Sequence, residues 1–136
     1  MTPADMAALH ARCFTSPRPW KAEEFASFLA DPLCFALVES DGFLIGRAVA
    51  DEAEILTLAV DPARWRNGIG GRLVQGFLAE AAQRQAVLAF LEVSANNQPA
   101  ISLYLQAGFE ENGRRAGYYA DPNGTRVDAL AFGRVI

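Results

Sequence analysis

Leu56-Thr57-Leu58-Ala59-Val60-Asp61-Pro62-Ala63-Arg64-Trp65-Arg66-Asn67-Gly68-Ile69-Gly70-Gly71-Arg72-Leu73 decides how the chain is read. An apolar strand ends at Asp61-Pro62, a glycine-punctuated loop follows, and an amphipathic helix begins. Proline removes an amide donor and glycine permits unusual backbone angles, so this order describes a chain leaving a sheet and turning into a helix. Gly68, Gly70 and Gly71 leave bare amides at the helix start, where unpaired N–H groups and the positive dipole end favour an anion. A purely structural strand-to-helix turn would show the same glycines, so the rest of the chain must choose between the two.

Working outward, 136 residues with 51% hydrophobic content suit one domain, residues 1–136, with a real core. A net charge of −4 argues against a nucleic-acid surface as the main function, and a basic peptide or polyamine is the easier partner. Cys13 and Cys34 form no CxxC pair, so neither a disulfide framework nor a metal site is expected. Without a basic n-region or a long apolar run, the expected setting is cytoplasmic, with no membrane partner.

Upstream of the loop, Thr2-Pro3-Ala4-Asp5 reads as a helix start, and Met6, Leu9, His10 and Cys13 recur at helical spacing to about Phe14. His10, the one histidine, has no acid or second ligand at a useful spacing and is expected to be packed rather than catalytic. Ser16-Pro17-Arg18-Pro19-Trp20 breaks the chain. A second helix then places Phe25, Phe28 and Leu29 on one face and ends before Asp31-Pro32. Strands follow at Phe35 to Glu39, Phe43 to Val49 and Glu54 to Val60, with Asp41-Gly42 as the first hairpin turn.

Downstream, a helix from about Gly70 to Gln85 buries Leu73, Val74, Phe77, Leu78 and Ala81. Val87 to Val93 is nearly continuous apolar sequence, which suits a strand buried on both faces and parallel to its predecessor. Asn97 to Ala107 is a helix with Ala100, Ile101, Tyr104 and Leu105 inward, closed by Gly108. Phe109 to Arg115 and Asp128 to Val135 are the last strands, joined by a loop holding Tyr118, Tyr119 and Pro122-Asn123-Gly124. The fold class is α/β: a single mixed sheet with helices on both faces.

Two common nucleotide loops fail on specific residues. A P-loop ends in Gly-Lys-Ser/Thr, and here Gly71 is followed by Arg72-Leu73. The dinucleotide fingerprint needs a third glycine where Leu73 stands.

Arg66-Asn67-Gly68-Ile69-Gly70 after Val60-Asp61-Pro62 resembles the acetyl-coenzyme A loop of the GNAT N-acetyltransferases. Asn97-Gln98-Pro99-Ala100-Ile101-Ser102-Leu103-Tyr104 leading to Gly108-Phe109 resembles the second signature of that family. The resemblance spans nearly the whole chain. It implies a mostly antiparallel sheet whose central parallel strand pair splays apart around the cofactor. Within the family the chain is most similar to the RimI type, which acetylates the N-terminal alanine of a small-subunit ribosomal protein. Pro19-Trp20, Leu91-Glu92-Val93, Tyr118-Tyr119 and Gly124 followed by Asp128-Ala129 carry that similarity. Two features depart from the pattern: Trp65 stands where the motif has Gln or Arg, and the strand that usually precedes the first helix is absent.

The resemblance implies roles residue by residue. Backbone groups of Leu58, Ala59 and Val60 would pair with the pantetheine arm of acetyl-coenzyme A, and Val60's amide would polarise the thioester carbonyl. Amides of Arg66, Asn67, Gly68, Ile69, Gly70 and Gly71 would hold the diphosphate, with the Arg66 side chain adding charge. Asn97 would contact the cofactor, cap the following helix, or both. Glu92 is the expected general base, because a lone carboxylate in Val87 to Val93 is costly unless solvated or used. Tyr104 would protonate the departing thiolate, and Tyr118 and Tyr119 would line the acceptor cleft.

Three functions are weighed. The first is N-terminal protein acetylation by direct transfer in a ternary complex. The second is a small-amine acetyltransferase with Glu110, Glu111 and Asp128 lining the acceptor cleft. The third is an acetyl-coenzyme A-binding module with weak catalysis. A partner protein or dimer stays open in all three.

Overall fold

The computed structural model describes residues 1–14 and 18–136. The chain break expected at Ser16-Pro17 therefore lies outside the described residues. Helix α1 (Pro3–Cys13) begins as its sequence dictates: Thr2 accepts from the Asp5 amide, and the Asp5 carboxylate accepts from the Thr2 amide. Helix α2 (Ala22–Ala30) buries Phe25 and half-buries Phe28, but Leu29 faces solvent, contrary to expectation. Nine residues give α2 a single narrow apolar stripe, and Phe25 with Trp20 and Phe43 already fills it.

Strands β1 (Cys34–Glu39) and β2 (Gly42–Val49) form a hairpin whose two-residue loop is Ser40–Asp41, one residue earlier than the Asp41-Gly42 signal suggested. Gly42 is the first residue of the returning strand, and a Cβ there would stand 3.0 Å from the Ala59 carbonyl oxygen. Strand β3 (Glu52–Val60), helix α3 (Ile69–Gln83), strand β4 (Leu88–Ser94), helix α4 (Gln98–Gln106) and strands β5 (Glu110–Ala120) and β6 (Arg126–Val135) complete the fold. The sheet order is β1-β2-β3-β4-β6-β5, with β3 and β4 the parallel pair. Among the described residues no strand precedes α1, and β1 forms an edge.

Helices α1 and α2 lie on one face, packing Met6, Leu9 and Phe25 against Phe43, Ile45 and Ala59. Helices α3 and α4 cover the other, where Leu73, Val74, Phe77 and Tyr104 meet Leu44, Leu91 and Phe132. Two faces of expected burial need correction. On β4, Ala89, Leu91 and Val93 are buried while Leu88, Phe90 and Glu92 are only partly covered, because α1 and α2 pack over β2 and β3. On α4, Leu105 is 53% exposed; the inward row is Ala100, Ile101, Leu103 and Tyr104. Tyr118 and Tyr119 also belong to β5, not to the loop after it.

One irregularity shapes the centre of the sheet. Ile45 pairs with Thr57 and Gly46 with Ile55, so Leu56 is an extra residue, a β-bulge in β3. Before it, Ala53 and Ile55 face α3; after it, Leu58 and Val60 do, and Thr57 and Ala59 turn toward α1. No helix among the described residues is long and apolar enough to cross a membrane.

Candidate active site

Strands β3 and β4 are paired only at Glu52–Leu88, Ala53–Ala89 and Glu54–Phe90. Beyond Glu54 they part, and the bulge at Leu56 lies just past the last rung. The β4-facing backbone edge of Leu58, Ala59 and Val60 therefore has no strand beside it, while β2 pairs with the opposite edge. Leu91, Glu92 and Val93 line the other side of the gap and are held by Phe132, Ala131 and Leu130 of β6. An open backbone edge inside a sheet is a place for an extended ligand.

The gap leads to the glycine loop. Gly68 is the N-cap of α3 with φ +79°, a left-handed angle that glycine adopts without steric cost. Gly70 lets α4 approach: a Cβ there would stand 3.0 Å from a Leu103 methyl. Gly71 faces open space, in a groove lined by Gly68, Arg72, Gln75, Leu103 and Gln106. No side chain caps the first turn of α3, so its amides point outward unclaimed. Arg66, at φ +71°, makes no ion pair among the described residues. Arg72 is held in a two-point bond by Glu39 of β1, at 2.8 and 3.0 Å, which anchors the helix start to the edge strand.

Trp65, the departure from the motif, has a definite partner. Its indole N–H donates to the Val60 carbonyl at 2.9 Å, pinning the loop to the end of β3. Asp61 accepts from the Ala63 amide and from Arg12 of α1, so the exit from the strand is tied at both sides.

Glu92 lies beside the gap, its side chain about 30% exposed. Arg115 of β5 donates to both of its oxygens, with Nε at 2.7 Å from Oε2. The same guanidinium lies 3.6 Å above the Tyr118 ring, and Tyr118 meets Tyr119 edge-on at 5.2 Å. Burial, then the nearby Glu92 charge, pushes the Tyr119 phenol above its ordinary range. The bulge that carries Tyr118 across is pinned where Asp128 accepts from the Gly117 amide at 2.8 Å and from Arg114 at 2.9 Å. Glu92, Tyr118 and Tyr119 thus come together, through an arginine that sequence reasoning had not singled out. The signal was there in Arg114-Arg115 just before the tyrosines, but an exposed arginine pair on a strand is ordinary.

Tyr104 is 5% exposed on the inner face of α4, edge-on to Phe109 at 6.0 Å. Burial pushes its phenol well above the usual range, so it stays protonated and keeps a proton to donate. No protein group among the described residues accepts from that hydroxyl, which is unusual for a buried phenol. Asn97 caps α4, accepting from the Ala100 amide at 3.3 Å. His10 is where the sequence put it, buried between Thr57 and the Trp20 amide. Among the described residues no cluster could hold a metal ion.

An open strand edge leads to uncapped helix amides, and a sequence comparison agrees with that geometry. The model of the acetyltransferase (GNAT) family matches residues 4–109. The chain belongs to the GNAT family of acetyltransferases. It is 36% identical over 128 residues to the ribosomal protein bS18-alanine N-acetyltransferase of Escherichia coli strain K12, covering 91% of this chain and 86% of that relative. The crystal structure of the ribosomal-protein-S18-alanine N-acetyltransferase from Escherichia coli superposes with a TM-score of 0.82 at 31% identity, over 98% of this chain and 86% of that one. Arabidopsis thaliana NAA60, solved in complex with acetyl-CoA, shares the fold with a TM-score of 0.82 at 20% identity, over 100% of this chain and 96% of that one.

Proposed function

We propose that residues 1–136 act as one cytoplasmic acetyltransferase domain that acetylates the N-terminal α-amine of a protein beginning with alanine, with acetyl-coenzyme A as donor. The observation that carries this reading is the placement of Glu92 beside the gap and against the Arg115–Tyr118–Tyr119 cluster. The Escherichia coli relative named for bS18 alanine acetylation supports the acceptor class.

The residues fit the donor. Leu58, Ala59 and Val60 would hold its pantetheine arm by backbone bonds, the amides of Arg66 to Gly71 its diphosphate, and the Arg66 side chain would add charge. Asn97 would contact it as well as capping α4. Acetyl-coenzyme A supplies an acyl thioester whose thiolate is a good leaving group. Val60's amide would stabilise negative charge on the acyl oxygen. An α-amine with a pKa near ~8 is mostly protonated at neutral pH, so Glu92 would take its proton directly or through a water. Tyr104, kept protonated by burial, would donate toward sulfur. Tyr118 and Tyr119 would frame the acceptor.

A small-amine acceptor held by several free acids has less support. Asp128 is engaged by Arg114 and the Gly117 amide, and Glu110 and Glu111 sit at the far start of β5, opposite Gly133 and Phe132. Of the two features that motivate the binding-only reading, Trp65 has a structural place in the loop, while among the described residues no strand precedes α1. Mass spectrometry of peptides differing only in the first residue, incubated with acetyl-coenzyme A, tests the proposal. Acetylation of the alanine-first peptide is expected, and its absence would sink the acceptor assignment.

A further inference from the structure

Glu54 has no part in the mechanism above, yet its position is unusual. It pairs with Phe90 on the last rung before β3 and β4 separate. Directly paired residues of parallel strands share a sheet face, and side chains two apart on one strand do too. Glu54 and Glu92 therefore stand diagonally on the same face, at the point where the cleft begins. Arg47 of β2 flanks Glu54 at 3.1 Å, and Arg115 of β5 flanks Glu92. Two carboxylates thus sit between two arginines. A surface groove lined by Arg47, Asp51, Glu52, Glu54 and Phe90 opens beside Glu54, at the end of the strands away from the glycine loop.

The proposed reaction leaves one proton to be moved. The acceptor nitrogen arrives as an ammonium with three protons and leaves as an amide with one. Of the two it loses, one ends on the coenzyme's sulfur as the carbon–sulfur bond breaks, and one must reach solvent. We propose that Glu54 relays this second proton, taking it from Glu92 and releasing it to water in the groove beside Arg47. In the first step the ammonium gives a proton to the Glu92 carboxylate, leaving neutral amine and carboxylic acid. In the second the acid returns to carboxylate as Glu54 is protonated, directly or through a water. In the third Glu54 loses the proton to the groove, and both carboxylates are restored.

Glu54 acts through Glu92 and touches neither substrate, so it is a positioning residue for the proton. The charged groups facing it are Arg47 on β2, Glu92 on β4 with Arg115 behind it, and Glu52 and Asp51 at the groove mouth. Burial raises its carboxyl above the ordinary range, Arg47 opposes that, and Glu92 adds to it, so its protonated form is easier to reach than that of a free carboxylate.

This inference rests on the proposed acetyl transfer, and the experiment separates the two. Steady-state rates with the alanine-first peptide and acetyl-coenzyme A are measured against pH for the full chain and for Glu54→Gln, Arg47→Gln and Glu92→Gln. Thermal midpoints confirm that each variant is folded. Glu54→Gln should lower kcat roughly tenfold to a hundredfold with both KM values nearly unchanged. Its acid limb should move to lower pH, because a like charge is gone. Arg47→Gln should move the limb the other way, because a cation that favours the carboxylate is gone. A bystander charge would shift the limbs in the same opposite senses but leave the plateau kcat near the parent's, so the relay is read from the fall in plateau kcat at unchanged KM. If Glu92→Gln is impaired while Glu54→Gln keeps kcat within about twofold, or if both limbs move together, the relay is wrong and the acetyl transfer stands. Failure of the parent chain to acetylate the peptide overturns both.

Discussion

At the scale of single residues, Tyr104 separates stability from function most cleanly. A buried hydroxyl with no partner contributes nothing to folding and costs the desolvation of a polar group. Tyr104→Phe keeps the ring against Phe109 and removes only that oxygen, so the thermal midpoint should hold or rise slightly. If the hydroxyl donates to the leaving thiolate, turnover should nonetheless fall by about tenfold or more, measured by thiol release. A variant as active as the parent would leave the phenol as simple core. Glu92→Gln makes the complementary case. It removes the proposed base and keeps one acceptor oxygen for Arg115, its amide nitrogen being unable to accept the second bond, so turnover near pH 7 should drop by roughly a hundredfold. Calorimetry should show acetyl-coenzyme A affinity changed by less than about twofold, since uniform donor binding is not what the carboxylate supplies. Glu92 and Tyr104 could be picked from sequence because each is chemically out of place in its surroundings. Arg115 and Glu54 could not, because a charged residue on a half-open strand is ordinary until its neighbours are known.

At the scale of elements, the glycine loop was largely legible and the bulge was not. Proline after a strand and glycine before a helix are local instructions, and the structure follows them to within a residue. The Leu56 bulge is a matter of register between β2 and β3, and its one trace is that Glu52 and Glu54 are out of phase with Thr57, a single weakly polar residue in an otherwise apolar run. The same reason hid the exposed faces of Leu29 and Leu105: short helices carry too few turns to distinguish an inner from an outer leucine. Trp65 is an element-scale residue too, since its indole bond ties the loop to β3. Trp65→Phe removes that one donor while keeping an aromatic ring, and should cost about 1 kcal/mol of stability. Because the loop presents the donor's amides, acetyl-coenzyme A should also bind more weakly, by a few-fold in calorimetry, with the acceptor KM unmoved. Gly68→Ala should destabilise by about 1 kcal/mol through its left-handed backbone angle alone, measured by urea unfolding.

At the scale of the whole molecule, one buried histidine couples folding to pH. His10 packs between Phe14, Trp20 and Phe25, and its ring nitrogens are both engaged: the Trp20 amide donates to Nδ1 at 3.0 Å, so Nε2 carries the proton to Thr57 at 2.8 Å. Thr57 lies just past the bulge, so this bond joins α1 to the strand that opens the cleft. Burial depresses the imidazole from 6.5 to about 4, with Glu24 opposing. The unfolded chain therefore takes up a proton below pH ~6.5 that the folded chain refuses until pH falls to about 4. Stability should decline across that window by on the order of 3 kcal/mol, a large share of what a domain this size possesses. Asp5, Glu24, Glu39 and Asp61, whose carboxyls are held below their usual range, act later: their contribution fades only once pH falls below ~4.5, where unfolded carboxylates protonate. Glu54, whose carboxyl burial raises, works the opposite way, so the loss between about pH 6.5 and 5 is that of His10. His10→Gln retains an acceptor for the Trp20 amide and a donor for Thr57 but cannot titrate. Urea unfolding at a series of pH values should show the parent losing stability across that interval while His10→Gln, lower at pH 7, stays level. Parallel curves for the two proteins would mean that the imidazole titrates alike folded and unfolded, and that the acid sensitivity of the fold lies elsewhere.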